Sequence, residues 1–285
     1  MTLNIRDHKG GGTPLVLLHG AGRSLADWDA VGSQLLRAGH RVLAVDLPGH
    51  GRSPGIAPWT VRTVVRQLAA AMDALGVGEP VVVGHSLGGL VAVQYARAHR
   101  VRAAVNLDGF WWGRPGEYPD AERVGALLRS SAGAVVAPQH IQEEVTQAAR
   151  YGIPSERAEA AARAAMRPLP DGRWQTLPEK AAALEMYDEL DRLGALGVTA
   201  WLDEVRCPLL LVQAGRQPPR SVDWLDDLFA SFARGLAAEL AALARERDSI
   251  TVVEIDASHE MILATPDAVA ALIATFVRDL PASAK

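Results

Sequence analysis

The stretch VVVGHSLGG, residues 81–89, is a β-strand pattern that runs directly into a serine flanked by glycines. Its three valines predict a buried strand, and the apolar spacing from Leu87 onward is that of a helix. Gly84 and Gly88 stand two residues before and after Ser86. So tight a turn needs very small neighbours, and it holds the serine hydroxyl clear of the backbone at the positive end of a helix. The stretch therefore predicts Ser86 as a nucleophile.

The alternative for this stretch is an ordinary glycine-rich turn or a phosphate-binding loop. With 26 glycines in 285 residues, a bare Gly-x-Ser-x-Gly pattern is expected about 0.1 times by chance. The stretch also lacks the lysine that a phosphate-binding loop requires. We therefore favour the nucleophile.

Outward from this stretch, short apolar runs alternate with longer helical patterns along the chain. The alternation predicts an α/β fold with a mostly parallel, doubly wound sheet, whose ligands bind at the carboxyl ends of the strands. We expect about seven strands, at residues 3–7, 15–18, 41–45, 81–84, 103–107, 209–212 and 251–255, and flanking helices at 24–38, 61–75, 87–98 and 266–280.

The periodicity changes in residues 110–206, where no strand pattern is convincing. An all-helical insertion has to lie over the strand ends, because helices already cover both sheet faces. We therefore expect a core domain of residues 1–109 and 207–285 and a helical cap of residues 110–206. The helical patterns of the cap are at 120–131, 138–151, 154–166 and 178–196, and a longer one at 220–247 has an apolar packing face.

A second strand runs into a glycine turn at LVLLHGAG, residues 15–22. An acyl-transfer enzyme stabilises the developing oxyanion with preorganised hydrogen-bond donors. The backbone N–H groups of Ala21 and Leu87 are the candidates for this oxyanion hole. Taken alone, the motif would more often be a plain turn between a strand and a helix.

Four motifs together resemble the α/β-hydrolase superfamily: HGAG at 19–22, DLPGHGRS at 46–53, GHSLGG at 84–89 and DASHE at 256–260. Their order and spacing match over nearly the whole chain. The resemblance implies a serine-nucleophile enzyme of the esterase or lactonase kind, with a helical cap inserted after the sixth strand in the family's count. It also implies a structural role for DLPGHGRS. The family usually opens with a hairpin, whereas only one strand fits here, so we expect seven strands rather than eight.

His259 is the predicted general base. It follows the last strand pattern and precedes the final helix, in the Ser…His order of this family. His19 and His85 flank the glycine turns and are expected to hydrogen-bond backbone there. The remaining histidines are interpreted as surface, turn or cap residues: His8, His40, His50, His99 and His140.

The acid of the triad is less obvious. Most relatives carry it in a Gly-x-x-Asp turn after the seventh strand, but residues 215–218 read GRQP, and the next acids, Asp223, Asp226 and Asp227, fall in a helical pattern. Asp108 ends strand 103–107, where certain lactonases and haloalkane dehalogenases carry their acid. We assign the acid to Asp108. The alternatives are a residue in the loop after the seventh strand, or an Asp108 that only caps the following turn.

Aromatic residues gather in or beside the predicted cap and favour a bulky, partly hydrophobic substrate. Trp174 and Trp201 are expected to pack the cap onto the core. For Trp111 and Trp112, packing and lining of the acyl pocket are equally open. The substrate-binding candidates are Arg23, Phe110, Trp111, Trp112 and Met261, with Arg23 and Met261 resting on the resemblance alone.

The composition limits the classes of molecule that the protein is expected to bind. A net charge of −4 with interspersed signs gives no basic surface for nucleic acid. No leader or membrane-length apolar stretch is visible, so a cytoplasmic location is expected. We expect a small-molecule substrate, no metal and no organic cofactor; an oligomer has no support in the sequence. The single cysteine, Cys207, is interpreted as buried and inert.

The sequence thus predicts a serine hydrolase that cleaves an ester, lactone or thioester through an acyl-enzyme on Ser86. Haloalkane dehalogenase and epoxide hydrolase chemistry is disfavoured, because the family uses Asp at position 86 for both. Two alternatives remain: a non-hydrolytic or carbon–carbon-cleaving biosynthetic enzyme on the same triad, and a slow-turnover ligand-binding or receptor protein.

Overall fold

The computed structural model describes residues 2–112, 118, 120–217 and 223–281. Its strands are β1 Ile5–His8, β2 Pro14–Leu18, β3 Arg41–Val45, β4 Val81–His85, β5 Ala103–Leu107, β6 Val135–Val136, β7 Met166–Pro168, β8 Trp174–Thr176, β9 Leu209–Ala214 and β10 Ile250–Ile255. Its α-helices are α1 Asp29–Arg37, α2 Val61–Ala74, α3 Leu87–Ala98, α4 Ala121–Ser131, α5 His140–Ala149, α6 Ser155–Ala165, α7 Lys180–Gly194, α8 Gly197–Leu202, α9 Asp223–Glu246, α10 Met261–Ala264 and α11 Pro266–Arg278.

Within the described residues, seven strands form one sheet in the order β1-β3-β2-β4-β5-β9-β10. Only β1 is antiparallel to its neighbour; the other pairs are parallel. All five residues of β4 and of β5 are buried, which is why these central strands are mostly apolar rather than alternating, with Asn106 and His85 as their polar residues. The predicted mostly parallel, doubly wound sheet of seven strands is confirmed.

The apolar core lies in two layers, one on each face of the sheet. Successive side chains of a strand point to opposite faces, so Val82 belongs to one layer while Val81 and Val83 belong to the other. The first layer is closed mainly by α2, α3, α8 and α9, and the second by α1 and α11. The predicted apolar face of α9 packs in this way, with Leu240 fully buried.

The segment between β5 and β9 is inserted after the fifth strand of this chain, which is the sixth in the family's eight-strand count. Helices α4–α8 confirm its predicted helical content. The expectation that it contains no strand is wrong, because β6, β8 and β7 form a small antiparallel sheet. These strands have two or three residues each, too few for a periodicity to be visible. An Asp171–Gly172 turn joins β7 to β8, with Gly172 at φ +83°.

The register of the central strands sets the position of the site. His85 of β4 pairs with Leu107 of β5, and Leu107 pairs with Val212 of β9. The residues that follow these strands, Ser86 and Asp108, therefore emerge side by side at the carboxyl edge of the sheet.

Over the described ranges, no helix is both long enough and apolar enough to span a lipid bilayer.

Candidate active site

Ser86 occupies a strained turn between β4 and α3. Its backbone has φ 53° and ψ −123°, in the region that L-residues rarely adopt, and its N–H donates to the Leu107 carbonyl at 3.0 Å. A Cβ added at Gly84 would overlap the Gly88 carbonyl, and one added at Gly88 would overlap the Leu18 carbonyl. Both glycines are therefore required by close backbone approach.

The turn after β2 lies directly against this serine. The ideal Cβ position of Gly20 is 3.2 Å from Ser86 Cβ. The Gly20 carbonyl accepts hydrogen bonds from His19 Nδ1 at 2.7 Å and from the Arg23 N–H at 3.2 Å. Because carbonyl and N–H point in opposite directions across a trans peptide, the Ala21 N–H faces away from these two donors.

The N–H groups of Ala21 and Leu87 have no acceptor among the described residues. Leu87 begins α3, where the first N–H groups of a helix have no intrahelical partner. One free backbone donor therefore directly follows Ser86, and the other directly follows Gly20, whose ideal Cβ position is 3.2 Å from Ser86 Cβ. Their role as an oxyanion hole remains a prediction.

Asp108 and His259, which are 151 residues apart, meet at this edge. Asp108 Oδ2 lies 2.7 Å from His259 Nδ1, and Asp108 Oδ1 accepts the Ala214 N–H at 3.0 Å. Burial alone would raise the pKa of Asp108. The hydrogen bond and charge of His259, with the Ala214 N–H, outweigh burial and hold that pKa below its ordinary value. The carboxylate is thus ionised at neutral pH and faces the imidazole.

His85 connects the same histidine to the Ser86 turn. His85 Nε2 lies 2.7 Å from the His259 carbonyl, and the two rings are 4.8 Å apart between centroids. Burial, followed by the charge of His259, lowers the pKa of His85 to about 4. His85 was expected to hydrogen-bond backbone near its own turn, but its acceptor is 174 residues away.

Asn106 was missed by the sequence reasoning. Its Oδ1 accepts the Gly109 N–H at 2.7 Å and its Nδ2 donates to the Gly109 carbonyl at 3.1 Å. This buried amide holds the turn in which Asp108 has φ 53°. The available signal was a lone polar residue inside the apolar strand AAVNL.

The DLPGHGRS turn is built around Asp46. Its carboxylate accepts the Leu25 N–H at 2.7 Å, the Arg52 N–H at 2.9 Å and the Asn4 amide at 2.6 Å. These bonds tie β1, the turn after β2 and the turn after β3 together, which agrees with a structural role. His50, interpreted as a surface or turn residue, is in the turn but fully buried. Burial lowers the pKa of His50 to about 3.

The loop after β9 lies partly outside the described residues, Pro218 among them, and so does the side chain of Asp223 at the start of α9. Asp226 is half-buried and Asp227 exposed. The other nearby acid, Asp256, is 81% exposed and pairs with Arg216 at 2.5 Å. Among the acids whose side chains are described, Asp108 is the one that contacts the His259 ring.

Arg23 lies beside the Gly20 turn. It donates to Asp27 through Nε at 2.7 Å and Nη2 at 3.0 Å. Burial opposes its charge, but Asp27 raises the pKa of Arg23 above its ordinary value. Arg23, Glu144 and Glu260 line a cavity of about 100 Å³.

In the described ranges, no group of three or more His, Cys, Asp or Glu could hold a metal ion.

Trp111 and Trp112 stack on each other at 4.9 Å between ring centroids. Trp111 Nε1 donates to Asp191 of α7 at 2.7 Å. Trp112 is buried, with Phe229 and Phe232 of α9 edge-on to its ring at 5.0 and 5.8 Å. Trp112 therefore packs the inserted segment against α9, while Trp111 packs against α7 and the Trp112 ring.

The other aromatic and apolar candidates are placed as follows. Met261 is fully buried in the core layer of α1 and α11, so it has no accessible surface to offer a substrate. Phe110 is half-buried. Trp201 is buried and donates to the Leu193 carbonyl at 2.8 Å, in agreement with packing. Cys207, expected to be buried, is only partly so, and burial raises the pKa of its thiol to about 11.

Comparison with known proteins adds to this geometry. A family model described as alpha/beta hydrolase fold matches residues 13–132. The lipase LipV of Mycobacterium tuberculosis is 32% identical over 240 residues, covering 81% of this chain and 81% of the lipase.

Two solved structures share the fold. An E-2-(acetamidomethylene)succinate hydrolase has a TM-score of 0.70 at 22% identity, covering 97% of this chain and 95% of that one. A thermophilic esterase from Thermogutta terrifontis has a TM-score of 0.65 at 24% identity, covering 98% and 93%.

Proposed function

Because the chain belongs to the α/β-hydrolase family, we propose that it is a serine hydrolase that cleaves an ester, lactone or thioester through an acyl-enzyme on Ser86. The single observation that carries this proposal is the 2.7 Å contact between Asp108 Oδ2 and His259 Nδ1, beside the strained turn of Ser86. The lipase relative supports hydrolase activity.

In the first step His259 acts as general base. A carboxylate only accepts hydrogen bonds, so Asp108 fixes the proton of the neutral imidazole on Nδ1 and leaves Nε2 free to accept the Ser86 proton. The Ser86 oxygen attacks the substrate carbonyl, and the N–H groups of Ala21 and Leu87 stabilise the oxyanion. The imidazolium then returns its proton to the leaving alcohol or thiol as the bond to it breaks.

In the second step a water molecule takes the place of the leaving group. His259 accepts a proton from this water, which attacks the acyl-enzyme carbonyl and forms the same oxyanion. Collapse releases the carboxylic acid, and the proton goes from His259 to Ser86. A His259 ring that is 43% exposed is consistent with access of this water.

For the substrate, we propose a bulky, partly hydrophobic acyl or alcohol group held under a cap formed by residues 110–206. Half-buried Phe110 directly follows the Asp108 turn, and we assign to it the aromatic contact with this group. Trp112 and Met261 are left out of this role, because their surfaces are used in packing. The receptor alternative rested on the carboxylate missing from the Gly-x-x-Asp turn, and the contact between Asp108 and His259 favours the enzyme over it.

The test is active-site labelling with a fluorophosphonate, together with hydrolysis of p-nitrophenyl esters from acetate to octanoate. The wild type is expected to acquire one phosphonyl group on Ser86, located by peptide mass spectrometry, and to hydrolyse at least one ester. Ser86→Ala should lose both properties, while the matched control Ser33→Ala on the exposed face of α1 keeps them. A wild type that is neither labelled nor active would refute the proposal.

A further inference from the structure

His85 is a buried ionisable residue that the mechanism above does not use. It is the last residue of β4 and directly precedes Ser86. Only 4% of its surface is exposed, whereas 43% of the His259 side chain is. We propose that His85 is a positioning residue, whose hydrogen bond to the His259 main chain sets the distance between the general base and Ser86. This inference rests on the proposed function.

The argument starts from the segment that carries His259. Asp256, three residues before His259, is 81% exposed and pairs with the surface residue Arg216, so it does not anchor the segment. Asp108 contacts His259 through the ring nitrogen Nδ1, so it orients the imidazole. His85 contacts the main-chain carbonyl at 2.7 Å, so it fixes where the backbone of His259 lies. Two adjacent strands thus hold one residue, β5 by its ring and β4 by its backbone.

The protonation of His85 follows from its partner. A carbonyl only accepts, so Nε2 carries the proton and Nδ1 is the unprotonated nitrogen. Nδ1 is buried without a hydrogen-bond partner among the described residues and lies 3.5 Å from the ideal Cβ position of Gly20. The ionisable groups facing the ring are His259, Glu260 and Asp108.

A neutral His85 is also what the chemistry requires. During turnover His259 becomes an imidazolium, and its ring centroid is 4.8 Å from that of His85. A second positive charge at that distance would oppose proton transfer from Ser86. Burial lowers the pKa of His85 to about 4, so at neutral pH it supplies a hydrogen-bond donor without a charge.

Two variants separate the hydrogen bond from the ring. His85→Phe keeps an aromatic ring but removes the donor, whereas His85→Gln keeps an N–H donor but removes the ring. The measurements are kcat and KM for the best p-nitrophenyl ester, the fluorophosphonate labelling rate of Ser86, and the thermal unfolding midpoint. His99→Phe, at the exposed C-terminal end of α3, is the matched control.

We expect His85→Phe to lower kcat and the labelling rate by about 10²-fold, the loss that a misplacement of about 1 Å causes. KM should stay within about twofold, and His85→Gln should recover at least a tenth of the wild-type kcat. A His85→Phe variant with wild-type kcat would overturn the inference, and so would equal losses in both variants. A wild type that is neither labelled nor active would refute the proposed function. An active wild type whose His85 variants do not show these losses would refute only the role of His85.

Discussion

Replacing Asp108 with asparagine is the most direct perturbation of the candidate site. The amide oxygen of the new side chain would still accept the Ala214 N–H, which is 3.0 Å from Asp108 Oδ1, so the turn after β5 should stay folded. The amide nitrogen would stand where Oδ2 now lies 2.7 Å from His259 Nδ1. Because that nitrogen is a donor, it favours the imidazole tautomer with its proton on Nε2, which cannot accept the Ser86 proton.

The magnitude follows from the same geometry. A contact of 2.7 Å between Oδ2 and Nδ1 places the carboxylate and imidazolium charges about 4 Å apart, worth about 4 kcal/mol at an effective dielectric constant of about 20. That energy alone corresponds to roughly a thousandfold in rate. With the wrong tautomer added, the same exchange in Ser-His-Asp triads lowers kcat about 10⁴-fold. We therefore expect a loss in kcat between about 10³ and 10⁴.

The assay is p-nitrophenyl ester hydrolysis at pH 8 by the wild type and three Asp→Asn variants. Asp256→Asn is the matched control, because this exposed carboxylate lies three residues before His259 but pairs with Arg216. Asp223→Asn tests the alternative acid after β9. A near-full rate in Asp108→Asn would refute the reasoning, and a large loss in Asp223→Asn instead would move the acid to that loop.

Three further predictions concern the scaffold. Gly88→Ala should abolish fluorophosphonate labelling and lower the unfolding midpoint, because its Cβ would overlap a β2 carbonyl; wild-type labelling would contradict this. Asn106→Leu should reduce the free energy of unfolding in urea by about 2–4 kcal/mol, because it leaves both backbone groups of Gly109 unpaired; a loss below about 1 kcal/mol would count against it. Stability should fall as pH drops below 6.5, because the pKa values of His85 and His50 lie near 4 and 3 in the folded state and only the unfolded chain takes up protons there. At pH 4.5 each would cost about 3 kcal/mol; urea unfolding at pH 7.5 and 4.5 measures this, and an unchanged midpoint would contradict it.

The sequence by itself determined the features whose physics is local. The Ser86 turn is specified within nine residues, because a buried strand, two glycines and a helix start together predict a tight strand-to-helix turn at the serine. The central strands could be predicted because both their faces are buried, so composition alone marks them. The small sheet of the inserted segment could not, because its strands are too short for a side-chain period to appear.

Only the tertiary structure decided how the parts of the site meet. Sequence order suggested Asp108 and His259, but their contact depends on the register that sets β5 beside β9 and on the path of the chain after β10. The bond from His85 to His259 spans 174 residues, and no local pattern encodes such a pairing. The packing of Trp112 against α9 was equally undecided, because an aromatic residue beside a pocket and one in a core have the same sequence signature. Burial and hydrogen bonding between distant segments distinguish them, and both arise only when the sheet is assembled.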